Sequence, residues 1–452
     1  HSPEFFFWVA GCSLFASQTS CPTDVDPKFE FRMRRAFSLL LLTARLAFFS
    51  IAQDGSSLQS SPTLGLIEKE ETETEDDLFV RTSRGRACDE RWASWPAVQE
   101  SGVASGNVLV YKIFTSIGNL FIAMEQMIKL SLLLEVALVL DCEGFPGFRV
   151  AFNPSEINWD LDPAVIRQKA DNVTQDGDSS GLHALEFGDG VLLLSDSRLL
   201  LLAYRLNLLK DSVAETATAV RGAGFTSLRK TVPKIAYGAA RPDPCAWNLF
   251  LRRSPSMMQS MAVQSPWVAT NGTSSRSGHD PTNYVAWHIR TSDGESARSF
   301  NSTRHKYVFH QQRAETLLPL YLAATKSGKE ECPSAYPAGS DRDLPIYVSS
   351  NRREMARNCS IGVAEQGVPS GMVDLGLSRE DSHTAFSRNP NATAVSAFID
   401  FLYLMDADII VRSGSSFSGT VVSIKGMGCN TALAGVDVPV SGILVCLPGT
   451  CF

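Results

Sequence analysis

Apolar residues along this chain fall into short unbroken runs separated by longer stretches of helical spacing. Val108-Leu109-Val110-Tyr111-Lys112-Ile113 reads as a strand, a Gly118-Asn119 turn follows, and Leu120 to about Leu134 has helical character. The run Val136-Ala137-Leu138-Val139-Leu140 then ends at Asp141, and Val191-Leu192-Leu193-Leu194 is another of the same kind. Strands that are apolar on both faces belong to parallel sheets covered by helices, so this order predicts βαβ units. Ser, Pro, Gly, Asn and Thr crowd Ser254 to Asn283 and interrupt the pattern, marking a boundary between two halves. Beyond it the alternation resumes. Strands are predicted at Tyr284–Ile289, Pro345–Ser349 and Asp408–Val411. Helices are predicted near Ala314–Lys326 with a kink at Pro319, near Ala394–Met405, and from Ser416 to about Lys425. Two successive βα arrays predict an α/β protein of two Rossmann-like halves facing a cleft.

Upstream of these elements the pattern changes. Met33-Arg34-Arg35 opens an apolar run to Ala52, which fits a signal peptide or a short signal-anchor; Arg45 interrupts it, so a stable membrane span is marginal and cleavage near Ala52 is favoured. Residues 1–32 are read as an upstream extension, 33–52 as the leader and 53–106 as a disordered stem. The stem reading rests on its Ser, Gly and acid content and on the block Glu68 to Asp77. Folded domains are then expected over 107–265 and 280–452.

Composition narrows the function. A net charge of -7 supplies no basic field for nucleic acid or anionic lipid. Eight cysteines follow the leader (Cys88, Cys142, Cys245, Cys332, Cys359, Cys429, Cys446, Cys451) with no Cys-x-x-Cys pair, which points to disulfides, at least one of them within the late cluster Cys429, Cys446 and Cys451. Sequons at Asn172, Asn271, Asn301, Asn358 and Asn391 agree with folding in the secretory pathway, in the Golgi or ER lumen.

Three places could carry chemistry. In Trp287-His288-Ile289-Arg290, Arg290 closes a buried strand where α/β sheets bind ligands. Its guanidinium either holds phosphate oxygens or pairs with Asp293 or Glu295. In Asp408 to Gly419 a strand ends in a Gly/Ser turn that opens a helix. Ser415 and Ser416 there are N-caps, or part of an anion site built on free backbone N–H groups. Gly118-Asn119 permits a tight turn, with Asn119 capping the helix or reaching a ligand. The seven His are scattered, and Asp406-Ala407-Asp408 precedes its strand and reads as a helix-ending turn, so no metal is expected.

Gly118-Asn119, His288-Ile289-Arg290 followed by Asp293, and Ser415-Ser416-Phe417-Ser418 together resemble the scattered motifs of GDP-fucose-dependent fucosyltransferases, the α1,2/α1,6 and protein O-fucosyltransferase relatives, across about 108–430. Cys245 to Pro255 resembles the segment that leads out of their first domain. The resemblance implies a GT-B fold, a GDP-fucose donor used as substrate, no metal, and a glycan or glycoprotein acceptor. It implies that Arg290 contacts the donor β-phosphate and that Ser415, Ser416 and Phe417 line the diphosphate and nucleotide. Asn119 would reach across from the other half, and His288 would support the guanosine side. Thr291 and Ser292 depart from the pattern, as does Ser350-Asn351 after the strand Ile346-Tyr347-Val348-Ser349. Asp293 and Glu295 are the nearest bases for the acceptor hydroxyl, Asp293 also being placed to orient Arg290. A different nucleotide-sugar enzyme on the same scaffold, or a secreted glycan-binding protein without catalysis, remain the alternatives.

Overall fold

The computed structural model describes residues 77–81, 89–113, 117–175, 181–187, 190–235, 241–267, 283–290, 296–301, 306–311, 314–332, 343–373, 390–431 and 443–448. The expected extension at 1–32 and leader at 33–52 lie outside them. The first half contains α1 (Glu90–Ala93), α2 (Trp95–Ser105), β1 (Val108–Lys112), α3 (Ile117–Leu134), β2 (Ala137–Asp141), α4 (Gly147–Ala151) and β3 (Phe152–Pro154). It continues with α5 (Pro163–Gln175), β4 (Leu182–Phe187), β5 (Gly190–Ser195), α6 (Asp196–Leu206), α7 (Val213–Ile235), α8 (Pro244–Phe250), β6 (Leu251–Arg253) and α9 (Pro255–Val263).

The second half begins with β7 (Val285–Ile289), the hairpin β8 (Ser296–Asn301) and β9 (Lys306–Gln311), α10 (Ala314–Glu331), β10 (Ile346–Ser350) and α11 (Arg353–Glu365). After these come β11 (Ser370–Gly371), α12 (Pro390–Asp406), β12 (Ile409–Arg412), α13 (Ser416–Lys425), β13 (Gly428–Thr431) and β14 (Leu444–Leu447). The architecture is mixed α/β.

The first sheet has the order β2-β1-β5-β4. β1 and β2 are parallel, as their apolar runs predict, with Val108 opposite Ala137 and Lys112 opposite Asp141. The run at Val191–Leu194 departs from the expected parallel pattern: β5 is antiparallel to β1 and pairs with β4 as a hairpin. Only Gly188 and Asp189 join β4 to β5, too few residues for a parallel crossover. The second sheet has the order β11-β10-β7-β12-β14-β13, with β11, β10, β7 and β12 parallel and an antiparallel edge at β14 and β13. Cys429 faces Cys446 across that edge and is disulfide-bonded to it, as the late cysteine cluster suggests. Cys245 and Cys332 are bonded too, whereas Cys142 and Cys359 are buried free thiols, so not all eight cysteines pair.

Alternation along the strands divides the core. Leu109, Tyr111, Leu138 and Leu140 of the first sheet share one hydrophobic cluster with Ala286, Tyr347 and Ile410 of the second. Between them lie α3, α12 and α13. α3 is long and apolar enough to span a membrane, but it is a central core helix, with Phe121 stacked on Phe401 of α12 at 4.6 Å. The opposite faces, Val108, Val110 and Val139 in one sheet and Val285, Trp287 and Val411 in the other, pack in separate clusters with Ala170 of α5 and with Leu317 and Tyr321 of α10.

The stem reading of 53–106 fails for its described residues. Phe79, Val80, Trp92 and Trp95 are buried, and a Cβ on Gly102 would meet the backbone N of Ala137 at 2.2 Å, so α2 lies tightly on β2. Polar composition hid this packing, because a few large aromatic residues do the burying. Arg253 is fully buried. Its Nη1 donates to Asp406 Oδ2 at 2.7 Å, its Nη2 donates to Asp406 Oδ1, and the same Nη2 reaches the Phe79 carbonyl at 3.2 Å. Burial works to raise the Asp406 pKa. The charge and hydrogen bonds of Arg253, with Arg81 and Lys425, outweigh it and hold the carboxylate ionised. Asp406 therefore ends α12, as its sequence suggests, and its carboxylate is committed to Arg253.

The two halves come into close backbone contact where α3 begins. A Cβ on Gly118 would lie 2.7 Å from the backbone N of Phe417, and Thr420 Oγ1 donates to the Gly118 carbonyl at 3.1 Å. Backbone lies opposite and cannot swing aside. Gly118→Ala is expected to cost about 1–3 kcal/mol, read as a lowered midpoint in chemical denaturation; an unchanged midpoint would contradict this contact.

Candidate anion-binding site

The site grows from three parallel strands that end side by side. His288 of β7 is in register with Ser349 of β10 on one side and with Arg412 of β12 on the other. Register partners on adjacent strands point to the same face. Ser349, His288 and Arg412 therefore form a transverse row at the carboxyl ends of the strands, on the side covered by α12 and α13.

Hydrogen bonds fix the strand ends. The His288 carbonyl accepts from Ser413 N at 3.1 Å, Ser413 Oγ at 3.3 Å and Tyr321 Oη at 3.0 Å. Arg290 begins one residue beyond β7, and its N–H donates to Ser413 Oγ at 2.7 Å. Ser350 Oγ donates to the Ile289 carbonyl at 2.7 Å. The backbone that carries Arg290 is thus tied to both neighbouring strands.

α13 starts at the same place. Ser415 is its N-cap, in extended backbone, and Ser415 Oγ accepts from Phe417 N at 3.2 Å. The first turn of any helix presents N–H groups and a partial positive charge. Arg412 lies along this start, with Nη1 donating to the Ser415 carbonyl at 3.2 Å. Gly419 leaves room for it, since a Cβ there would stand 2.6 Å from Nη1. Arg412 Nε is buried and has no hydrogen-bond partner among the described residues. Burial lowers its pKa, though an arginine remains a cation.

His288 is 4 % exposed, and its ring stacks on Phe417 at 5.3 Å. Burial first, and then the charges of Arg290 and Arg412, push its pKa down to about 3. It is a neutral imidazole at physiological pH. Its Nδ1 has no partner among the described residues, so it keeps a free donor or acceptor beside the arginines.

At the far end of the row, Asp400 of α12 accepts hydrogen bonds from Tyr347 and Ser349. Burial raises its pKa to about 6, against the opposing effects of Tyr347, Arg353 and Ser349. The row therefore grades from cationic at Arg412 to acidic at Asp400.

Of the residues expected from sequence, His288, Arg290, Ser415 and Phe417 come together here, and Ser416 is exposed at the first position of α13. Asn119 is exposed on α3, next to the Gly118 that packs on Ser416 and Phe417. Asp293 and Glu295 lie outside the described residues. Sequence reasoning missed Arg412, although it closes a parallel strand just as Arg290 does. It also missed Asp400, a lone acid within the apolar stretch Ala397-Phe398-Ile399-Asp400-Phe401-Leu402. Asp408, the other acid of the Asp-x-Asp triplet, accepts from Tyr284 N at 3.1 Å.

The His288 pKa has a measurable consequence. In the unfolded chain the imidazole binds a proton near pH 6.5, while the folded protein resists it down to about 3. Stability should fall as pH drops from 6.5, by at most about 1.4 kcal/mol per pH unit from this group. In denaturation at pH 7 and pH 5, His288→Gln should lose less stability than the wild type; equal losses would show that the imidazole is not buried and neutral.

No family model matches the chain, and no curated protein matches it. Among solved structures it is similar to a point mutant of FUT1 from Arabidopsis thaliana in complex with GDP, at 10% identity and a TM-score of 0.42, covering 82% of this chain and 88% of that one. It is also similar to NodZ alpha-1,6-fucosyltransferase soaked with GDP-fucose, at 10% identity and a TM-score of 0.36, covering 76% of this chain and 99% of that one.

Proposed function

We propose that this protein is a glycosyltransferase that binds GDP-fucose in a cleft at the ends of β7, β10 and β12. It transfers the sugar, with inversion, to a hydroxyl of a glycan or glycoprotein in the secretory pathway, held there by residues 33–52 or released after their cleavage. The observation that carries the reading is Arg412, half-buried along the start of α13 with a buried Nε that has no hydrogen-bond partner among the described residues, beside Arg290 and the Nδ1 of His288, which has none among them either. Two guanidinium groups and a helix N-terminus suit a doubly charged diphosphate. As the bond from sugar to phosphate breaks, charge grows on the leaving diphosphate, and fixed cations stabilise it without rearrangement. Phe417, half-buried and stacked on the His288 ring, offers flat apolar surface to the nucleoside. The Asp400 carboxylate offers an acceptor to a base edge that presents two N–H groups, as guanine does and uracil does not.

Fucose as the sugar rests on the resemblance of Gly118-Asn119, His288-Ile289-Arg290 and Ser415-Ser416-Phe417 to fucosyltransferase motifs. Calorimetry with GDP and UDP tests the reading. GDP should bind at least ~10-fold more tightly than UDP. Arg290→Ala and Arg412→Ala should each weaken GDP by ~10–100-fold, the effect of losing charge-assisted hydrogen bonds. Preference for UDP, or GDP affinity unchanged in both variants, would overturn it.

A further inference from the structure

We infer that Glu143 is the general base that takes the proton from the acceptor hydroxyl, acting from the first half opposite Arg290 and Arg412; this rests on the glycosyl-transfer reading above. Glu143 stands two residues beyond β2, at the carboxyl end of a parallel strand pair where α/β sheets place reacting groups. Its loop is anchored at each residue. The Glu143 N–H donates to Asp141 Oδ1 at 3.0 Å, and Asp141, 3 % exposed, is held in turn by Arg167 Nη2 at 3.1 Å. A Cβ on Gly144 would lie 3.1 Å from the Ile113 carbonyl, so the loop rests on the end of β1. Phe145 N donates to the Cys142 carbonyl at 3.0 Å, and the Phe145 ring packs on Phe398 of α12 at 5.7 Å.

Two of these contacts set the loop against the anion site. α12 runs down into β12, so its earlier turns rise toward the carboxyl ends of the second sheet. Phe398 lies eight residues before Asp406, about 12 Å along the helix, and the four residues of β12 span about 13 Å. The Phe145 contact is therefore about level with Arg412 and His288. The other link is β1 itself, which leads from Ile113 into α3, where Gly118 touches the start of α13. Glu143 is exposed, and its carboxylate makes no ion pair or hydrogen bond among the described residues. Asp141 is committed to Arg167 and to the loop, and nearby Asp160 is paired with Arg149 at 2.6 Å, which leaves Glu143 to face an incoming hydroxyl.

The step balances without a further reagent. The acceptor oxygen bonds to the anomeric carbon as the bond from that carbon to the β-phosphate oxygen breaks, the electron pair leaving with the diphosphate. The hydroxyl proton passes to the Glu143 carboxylate. Water serves as the test acceptor and GDP-fucose as the donor, using the full chain. Glu143→Gln and Glu143→Ala should hydrolyse the donor ~100-fold more slowly, the usual worth of a general base, with GDP-fucose affinity within ~2-fold of wild type. Azide carries no proton to remove, so sodium azide should raise turnover of Glu143→Ala ~10-fold or more and give a fucosyl azide of inverted configuration. Hydrolysis at the wild-type rate in both variants, or a loss that azide does not rescue, overturns the role of Glu143 while leaving donor binding standing. A wild-type protein that neither binds nor consumes GDP-fucose overturns the glycosyl-transfer reading, and this role with it.

Discussion

Gly118 pressed against the Ser416–Phe417 backbone is the contact on which the rest of the structure depends. It brings the first turns of α3 and α13 within reach of each other, and only a residue without a Cβ fits there. Each helix follows a strand, so joining the helix starts also brings the carboxyl ends of β1 and β12 together. The aromatic stack of Phe121 on Phe401 continues the contact inward, and the buried pair of Arg253 and Asp406 secures the far end of α12. Breaking such a pair from one side typically costs about 3–5 kcal/mol, because a buried charge is left alone. The two sheets are thus fastened at both ends of a shared helical layer.

That fastening gives the site its electrostatic character. Arg290 and Arg412 stand where a helix start already favours anions, and the histidine between β10 and β12 is kept neutral by burial and by those same arginines. A protonated His288 would add a third cation inside the core, which is too costly without a bound anion. The neutral ring instead stacks on Phe417, and its Nδ1 has no partner among the described residues. Asp400 closes the opposite end of the row through Ser349 and Tyr347, so charge changes sign over the width of three strands.

Much of this was legible in the sequence because parallel strands buried on both faces must be apolar throughout. β1, β2, β7, β10 and β12 each appear as such a run, and the turn into α13 announces itself by its serines and glycine. β5 has the same composition for a different reason. Its place between β1 and β4 buries both its faces, and an apolar run carries no information on strand direction. α1 and α2 were hidden by their polar surroundings, since Trp92, Trp95, Gln99 and Gly102 make contacts that no periodic pattern displays. Arg412 became visible only through register: its neighbour across the strand pair is His288, more than a hundred residues earlier. Asp400 likewise acquires meaning from Tyr347 and Ser349 on another element.

In the function proposed here the diphosphate of a nucleotide sugar sits at the start of α13 between two arginines. A crystal structure of the protein soaked with GDP tests it most directly. Phosphate oxygens are expected within hydrogen-bonding distance of both Arg290 and Arg412 and of the first-turn N–H groups of α13, with the base beside His288 and Phe417. A diphosphate bound away from Arg412, or a nucleotide held on another face of the second sheet, would contradict it.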